Sequence, residues 1–328
     1  MGQESETRRF ACDSNPVVTL LDDPRSRLRK GQTRRGDVGA CVDDERITSE
    51  LNEPQYLLAY GEKNTHPSTG DIGLLPPRPD QEALINIYFH RIHPLLPLLD
   101  EDDTRSQFTN GALSLPLLQS ICLVASKDRR AVPYLRLDSD VALLPREKFC
   151  QRIHKDILEH ISGGGPKKRV TTIQILALLS LHEWGPNRSE DCSITLAHAL
   201  HHAQTIGLHL RKPDKMSGSY LQALFWCLWS LDRWNSAIHG RTIIIHDCDI
   251  GQRVTDVIHL FKPPFRIWLL LAHQLGQVIR SYRPMVDGSC EPDLDLSTFE
   301  EIVGNSNAWD TSPELLGKKT TWANTNDL

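Results

Sequence analysis

The chain has 328 residues, a formal net charge of −5 and 39% apolar residues, a composition typical of a folded protein with an apolar core. The acidic balance argues against binding nucleic acid or anionic membrane through bulk charge, and no apolar run approaches the ~20 residues that span a bilayer. The eight cysteines never form a CxxC pair, so we expect free thiols in a reducing, intracellular compartment.

Residues 1–79 are predicted to form a disordered, charged arm. They are rich in charged residues, glycine, proline and serine and show no sustained helical or strand period. Residues 25–35 (RSRLRKGQTRR) lack acids and carry six basic residues, Arg25, Arg27, Arg29, Lys30, Arg34 and Arg35. This run is either a nuclear-import or phosphate-contacting patch or a solvated basic stretch without a function, and the sequence leaves both open.

Residues 80–285 contain a series of helical patterns. They cover 80–92, 116–125, 145–161, 173–184, 191–206, 220–239 and 263–282. Asp80 is in position to cap the first helix, and Thr171 or Thr172 the fourth. Pro94 and Pro97 predict an extended connection after the first helix. Seven helical patterns with little strand signal predict one large all-α domain, followed over 286–328 by a polar tail that we expect to be partly disordered.

The packing is predicted to converge on residues 220–250 (YLQALFWCLWSLDRWNSAIHGRTIIIHDCDI). Apolar residues lie three and four apart on one face of this helix, and a second stripe contains Trp226, Trp229 and Arg233. A helix that is apolar on two faces is normally buried in a large domain. Gly240 and Arg241 end the helical pattern, and an apolar extended run follows.

Charged residues near the end of this helix form the most informative cluster. Asp232 and Arg233 are adjacent, and we expect them to have different partners. Arg241 could reach Asp232, Asp247 or Asp249. An ion-pair network that fixes the turn from helix to loop is the first interpretation, because a buried carboxylate is costly unless it is paired. A small-molecule or partner pocket beside the tryptophans is the second.

Evidence for catalysis is weak. His198, His201 and His202 could place two imidazoles on a metal ion, which would make the protein a metal-dependent all-α enzyme. The zinc-peptidase motif needs a glutamate next to its first histidine, however, and Ala199 occupies that position. The chain has no GxSxG motif, and the glycines at 163–165 lack the spacing of a phosphate-binding loop. We therefore assign no catalytic, cofactor-binding or metal-binding residues and predict that the protein is not an enzyme.

Four segments, residues 84–102, 171–187, 197–210 and 228–250, resemble the fungal-specific transcription factor domain, the middle homology region of fungal zinc-cluster regulators. Two of them look closest to regulators similar to cutinase transcription factors. The family positions that carry over, with a structural or regulatory role, are Gly207, His209, Asp232, Arg233, Gly240, Arg241 and Asp249. Thr242 stands where the family usually has proline after the Gly-Arg pair.

The resemblance implies a nuclear regulatory domain that modulates transcription by RNA polymerase II. Its partners would be other transcription regulators, a second copy of itself or a small-molecule effector. The family's DNA-binding module needs six cysteines within ~30 residues to hold two zinc ions, whereas only Cys12 and Cys41 precede Cys122. We therefore expect zinc only in full-length relatives, no membrane contact and at most weak DNA binding. The chain would be a fragment of a longer regulator, or a scaffold or dimer partner for an intact one.

Overall fold

The computed structural model describes residues 8–12, 34–35, 39–43, 73–137, 142–162, 168–182, 188–210, 219–281 and 301. The α-helices are α1 Arg78–Arg91, α2 Glu101–Thr109, α3 Leu115–Ala125, α4 Arg146–Ser162, α5 Arg169–Ser180, α6 Arg188–Thr205, α7 Ser219–His239, α8 Val254–Val257 and α9 Pro263–Ser281. Short 3-10 helices cover Arg129–Tyr134, Asp247–Asp249 and Ile258–Leu260. The predicted all-α class of the domain is confirmed. Among the described residues, no helix has the length and apolarity to cross a membrane.

Three short strands precede the helical domain. They are β1 Arg8–Cys12, β2 Arg34–Arg35 and β3 Gly39–Asp43, and they form an antiparallel sheet in the order β1-β3-β2. Phe10 lies opposite Cys41 in the register of β1 and β3. The sequence of the arm, which has no alternating period, did not predict these strands. Arg34 and Arg35 of the basic run form β2, whereas Arg25, Arg27, Arg29 and Lys30 lie outside the described residues, as does most of the tail over 286–328.

The helices pack in a chain of neighbours around one continuous core. Helix α1 packs on α3, α3 on α4 and α5, α5 on α6, α6 on α7, and α7 on α9. Every residue of α7 from Ala223 to Arg233 is buried, including Asp232 and Arg233. The prediction that packing converges on this helix is therefore confirmed, because an element covered on all sides lies inside the domain.

The predicted helix caps are wrong. Helix α1 begins at Arg78 with Pro77 as its N-cap residue, and the buried carboxylate of Asp80 instead forms an ion pair with Arg136 at 3.3 Å. Helix α5 begins at Arg169, earlier than predicted, and the hydroxyl of Thr172 donates a hydrogen bond to the carbonyl of Lys168 at 3.3 Å. In both helices the polar side chain near the start lies within the first turn, where it has a better partner than the free backbone N–H groups.

Helix α2 lies in a stretch for which no helix was predicted. It begins after Asp100, whose side chain accepts a hydrogen bond from the backbone N–H of Asp103 at 3.0 Å. Only Thr104 and Phe108 are buried along it. Two buried positions four residues apart are too few to produce a helical period, so a capped polar helix of this kind is invisible to pattern analysis.

Candidate functional site

The loop that follows α7 lies back along that helix. We call residues 240–253 the docked loop. Gly240 adopts a left-handed conformation with φ of 64° and reverses the chain, and the N–H of Arg241 donates to the carbonyl of Ser236 at 3.1 Å. Near the other end, the side-chain amide of Gln222 donates to Gln252 Oε1 at 3.1 Å. The docked loop therefore follows α7 antiparallel from position 236 to position 222, about 21 Å along the helix axis.

Asp232 anchors the centre of the docked loop through backbone amides. Its buried carboxylate accepts hydrogen bonds from the N–H of Ile244 at 3.0 Å and from the N–H of Ile245 at 2.9 Å. Burial raises the pKa of Asp232, while these amide donors and the charge of Arg233 oppose the rise. A buried carboxylate in this setting fixes the path of the loop, since the two amides would otherwise have no acceptor.

Arg233 anchors the same part of the loop from the neighbouring helix position. Its side chain is 1% exposed, and its guanidinium donates to the carbonyls of Trp229 at 3.2 Å and Ile245 at 2.9 Å. The guanidinium also lies 4.0 Å above the centre of the Trp229 ring, a cation–π contact. Gly276 of α9 lies beside this side chain, and a Cβ atom at that position would meet Arg233 Cγ at an ordinary contact distance of 3.5 Å. Burial lowers the pKa of Arg233, and Asp247 and Asp232 oppose this shift.

Asp247 joins α7, the docked loop and α9. Its Oδ1 accepts from Arg233 Nη2 at 2.6 Å and from Trp229 Nε1 at 3.0 Å, and its Oδ2 accepts from Arg280 Nη2 at 3.2 Å. The carboxylate is 40% exposed, although Arg233 is fully buried. One solvent-accessible acid thus holds two helices and a loop in register, and a charged ligand or partner could reach it.

Two expectations about this network need correction. Asp232 and Arg233 were predicted to have different partners, yet they lie 3.5 Å apart and both bind the backbone of Ile245. The long guanidinium reaches back along the helix, so its charge is not confined to the direction of its Cα–Cβ bond. Arg241, predicted to reach an aspartate, is exposed, and in the described network Arg280 of α9 is the second cation on Asp247.

The docked loop also reaches the turn after α6. Gly207 closes that helix with φ of 71°, and the N–H of Gly251 donates to the carbonyl of His209 at 2.9 Å. Burial lowers the pKa of His209, while the charge of Asp249 opposes the shift. The two sequence motifs that contain Gly207, His209, Asp232, Arg233 and Asp249 are therefore connected through one loop, a relation that their separation in sequence concealed.

The tryptophans connect α7 and α9 beside the ion pairs. The rings of Trp234 and Trp268 stack with centroids 4.9 Å apart and an interplanar angle of 27°. Trp268 Nε1 donates to Ser230 Oγ at 2.8 Å, and that hydroxyl donates to the carbonyl of Cys227 at 2.7 Å. Trp229, Ser236 and Arg280 complete the site, and the sequence did not single out their contacts. The sequence feature that indicated these contacts was the position of Arg233 in the apolar stripe of Trp226 and Trp229, where a charged side chain needs partners.

Among the described residues, the three histidines considered as metal ligands are not grouped with further donors as a metal site would require. His198 and His201 are exposed on α6 and His202 is half-buried, with the rings of His201 and His202 6.1 Å apart. In the part of the chain that the structure describes, no group of three or more His, Cys, Asp or Glu side chains is placed to hold a metal ion. Four buried cysteines and one exposed cysteine of the helical domain are free thiols: Cys122, Cys150, Cys192 and Cys227, and Cys248.

Residues 85–262, which include the docked loop and both motifs, match the family described as "Fungal specific transcription factor domain". The protein "Cutinase transcription factor 1 alpha" of Fusarium vanettenii is 23% identical over 288 residues, which cover 77% of this chain and 30% of that relative. This chain thus spans less than a third of the length of that relative. No solved structure matches the chain.

Proposed function

The chain belongs to the fungal-specific transcription factor domain family, and we propose that it modulates RNA polymerase II transcription in the nucleus through contacts with a small-molecule effector or a protein partner. The family is one of transcription factor domains and not of enzymes. Candidate protein partners are other transcription regulators or a second copy of the chain. The regulatory role would belong to the docked loop, which contains Gly240, Arg241 and Asp249 of one family motif and binds His209 of the other.

The observation that carries the proposal is the partial exposure of Asp247 above the fully buried Arg233. An anionic effector that binds Arg280, or a partner that forms an ion pair with the Asp247 carboxylate, would weaken the attachment of the docked loop to α7 and α9. Such a ligand shifts the equilibrium of the loop only as far as its affinities for the attached and released positions differ. A local change in ion pairing would thereby be transmitted over the length of α7.

A reporter assay tests this role in the full chain. The chain is fused to an unrelated DNA-binding module in a fungal cell, and transcription of a reporter with the matching DNA site is measured. We expect the fusion to change reporter output relative to the DNA-binding module alone, and Asp247→Asn to shift that output further. Asp256→Asn, at an exposed acid of α8 just outside the docked loop, is the matched control. Reporter output equal to that of the DNA-binding module alone would contradict the proposal.

We further propose that this chain carries no zinc of its own and binds DNA only weakly. The support is its cysteine content, with Cys12 and Cys41 alone before Cys122, and its single basic run at 25–35. That run could contact phosphates but contains no element that reads bases. Binding of the purified chain to duplex DNA should therefore weaken steeply with salt and be independent of sequence. Tight, sequence-selective binding, or stoichiometric zinc that is lost in His198→Ala, would overturn this part.

Nuclear entry is assigned to the same basic run. A fluorescently tagged chain should accumulate in the nucleus, and replacing the six basic residues of 25–35 by alanine should distribute it through the cell. Replacing Arg129 and Arg130, exposed basic residues of the helical domain, is the control. Unchanged nuclear accumulation after the first replacement would show that the run is a solvated stretch without this function.

A further inference from the structure

The five residues that precede α1 lie in a groove formed by side chains of α3 and α4. We call residues 73–77 (GLLPP) the strap. Two successive prolines keep the strap out of helical conformation, and it has no regular secondary structure. Gly73 and Pro76 are buried, and Leu75 packs against the core. The strap is therefore seated in the domain as an extended segment would be in a binding site.

Two side chains of the groove bind both backbone polar groups of Leu74. Asp156 Oδ2 on α4 accepts a hydrogen bond from the N–H of Leu74 at 3.1 Å, and Gln119 Nε2 on α3 donates to the carbonyl of Leu74 at 2.9 Å. Gln119 Nε2 also donates to Asp156 Oδ2, which holds the two side chains together. Gln81 Nε2 on α1 donates to the carbonyl of Pro76 at 2.7 Å. The groove thus binds the backbone of the strap, as sites for extended peptides do.

Gly73 makes the groove selective for sequence. A Cβ atom at this position would overlap Leu115 Cδ2 of α3 and would lie 3.2 Å from both Asp156 Oδ2 and His160 Cε1 of α4. A rotation of Leu115 could make room for the single methyl group of alanine. The larger, branched side chain of valine would also meet the two residues of α4, so we expect valine to displace the strap.

The groove offers one more hydrogen-bonding group than the strap uses. Gln119 is 0% exposed, and among the described residues its Oε1 has no hydrogen-bond partner. A buried acceptor without a donor is unfavourable, so the strap is held less tightly than a fully matched segment would be. The side chain of Asp156 is 17% exposed, so water reaches the groove at this residue. Both features favour a strap that can be exchanged.

We infer that this groove is a recognition site for an extended Gly-Leu-Leu-Pro segment, and that the strap is its intramolecular ligand. When the strap is displaced, the groove binds the same sequence supplied by another molecule. This inference does not depend on the proposed transcriptional role, because the strap and the groove share no residue with the docked loop or with the network around Asp247.

Binding of a synthetic peptide to the full chain tests the inference. The peptide has the sequence of residues 70–79 (GDIGLLPPRP), and saturation-transfer NMR measures its binding. The Gly73→Val chain should bind it at least about tenfold more tightly than the unchanged chain, whose own strap competes at a high effective concentration. A peptide that itself carries Gly73→Val should not bind. Adding Asp156→Ala to the Gly73→Val chain should abolish binding, whereas adding Glu159→Ala, at an exposed acid of the same helix, should not.

Cleavage by thermolysin tests the strap without any change in its own sequence. Thermolysin cuts on the amino side of leucine, and the strap contains Leu74 and Leu75. Asp156→Ala removes the acceptor of the Leu74 N–H. Cleavage at these leucines, assigned by mass spectrometry, should then accelerate at least about fivefold, because an opened segment is cut in proportion to its open population. Glu159→Ala is again the control and should leave the rate unchanged.

Four outcomes would overturn the inference. Absence of peptide binding to a Gly73→Val chain that retains its helices by circular dichroism would show that the groove does not recognise the sequence. Equal binding to the chains with and without Gly73→Val would place the peptide elsewhere on the domain. Equal cleavage in Asp156→Ala and Glu159→Ala would show that Asp156 does not hold the strap. A dimer that Gly73→Val converts to a monomer in sedimentation would show that the strap occupies the groove of a second copy.

Discussion

Removal of the Asp232 carboxylate should destabilise the domain more than any other change of a single polar group in the site. Asp232→Ala leaves the amides of Ile244 and Ile245 without their acceptor and leaves the buried Arg233 with Asp247 as its remaining acidic partner. Loss of one member of a buried ion pair costs about 3–5 kcal/mol. The two amides are worth about 1–3 kcal/mol each if they stay buried and unpaired. Ile244 is 38% exposed, so water can reach its amide, and Arg233 keeps Asp247 as a partner. Both contributions therefore lie near the lower ends of their ranges, and we expect a total loss of about 4–5 kcal/mol.

The measurement is urea-induced unfolding of the full chain, followed by tryptophan fluorescence. The midpoint should fall while the slope of unfolding free energy against urea stays constant, because the surface exposed on unfolding is unchanged. Asp232→Asn keeps one oxygen that can accept from both amides and removes only the charge, so its loss should be about half as large. Asp256→Ala, at an exposed acid of α8 outside the docked loop, is the control. A loss below about 1 kcal/mol for Asp232→Ala would refute the assignment of Asp232 as the anchor of the docked loop.

Three further predictions use the same unfolding assay. Burial lowers the pKa of His182 to about 4. Between pH 6.5 and 4 the unfolded chain therefore binds a proton that the folded chain does not. The free energy of unfolding should decrease by up to about 3 kcal/mol as the pH is lowered from 6.5 to 4. His182→Gln should reduce this fall and His201→Gln, at an exposed position, should not; equal pH profiles would contradict the assignment. Gly240→Ala should cost about 1–2 kcal/mol because a side chain disfavours its positive φ, and Gly240→Asn, measured beside it, should cost less. Arg233→Lys should cost about 3 kcal/mol because one ammonium cannot reach all the acceptors of the guanidinium, whereas Arg280→Ala, at a side chain that is 51% exposed, should cost less than about 1 kcal/mol. A larger loss of stability in Arg280→Ala than in Arg233→Lys would show that the exposed Arg280–Asp247 ion pair contributes more to stability than the buried Arg233.

Most of the helical domain could be predicted from apolar spacing. The patterns at 145–161, 220–239 and 263–282 correspond closely to α4, α7 and α9, because a helix that buries one or more faces must repeat apolar residues every three to four positions. The exceptions are the elements stabilised by a few local polar contacts. Helix α2 depends on the cap at Asp100, and the 3-10 helix Arg129–Tyr134 buries only Ala131, so neither leaves a period in the sequence.

The candidate site was only partly predictable. The residues Asp232, Arg233 and Asp247 stood out because charges within or beside a tryptophan-rich apolar helix require partners. Their pairing could not be derived, because it depends on the path of the docked loop. Arg280 is 33 residues from Asp247 in sequence, and it reaches that carboxylate because α9 packs against α7.

The sequence by itself thus determined the class of the fold, the burial of α7 and the family to which the chain belongs. Each of these depends on which residues occupy successive positions along a helix, and a local pattern is sufficient to reveal them. Only the tertiary structure decided that the docked loop runs antiparallel along α7, that Asp232 and Arg233 share Ile245, and that Arg280 rather than Arg241 pairs with Asp247. These contacts join residues whose separation in sequence carries no periodic signal. They exist because burying two charges in the core is tolerable only where the loop and α9 bring hydrogen-bond partners to them.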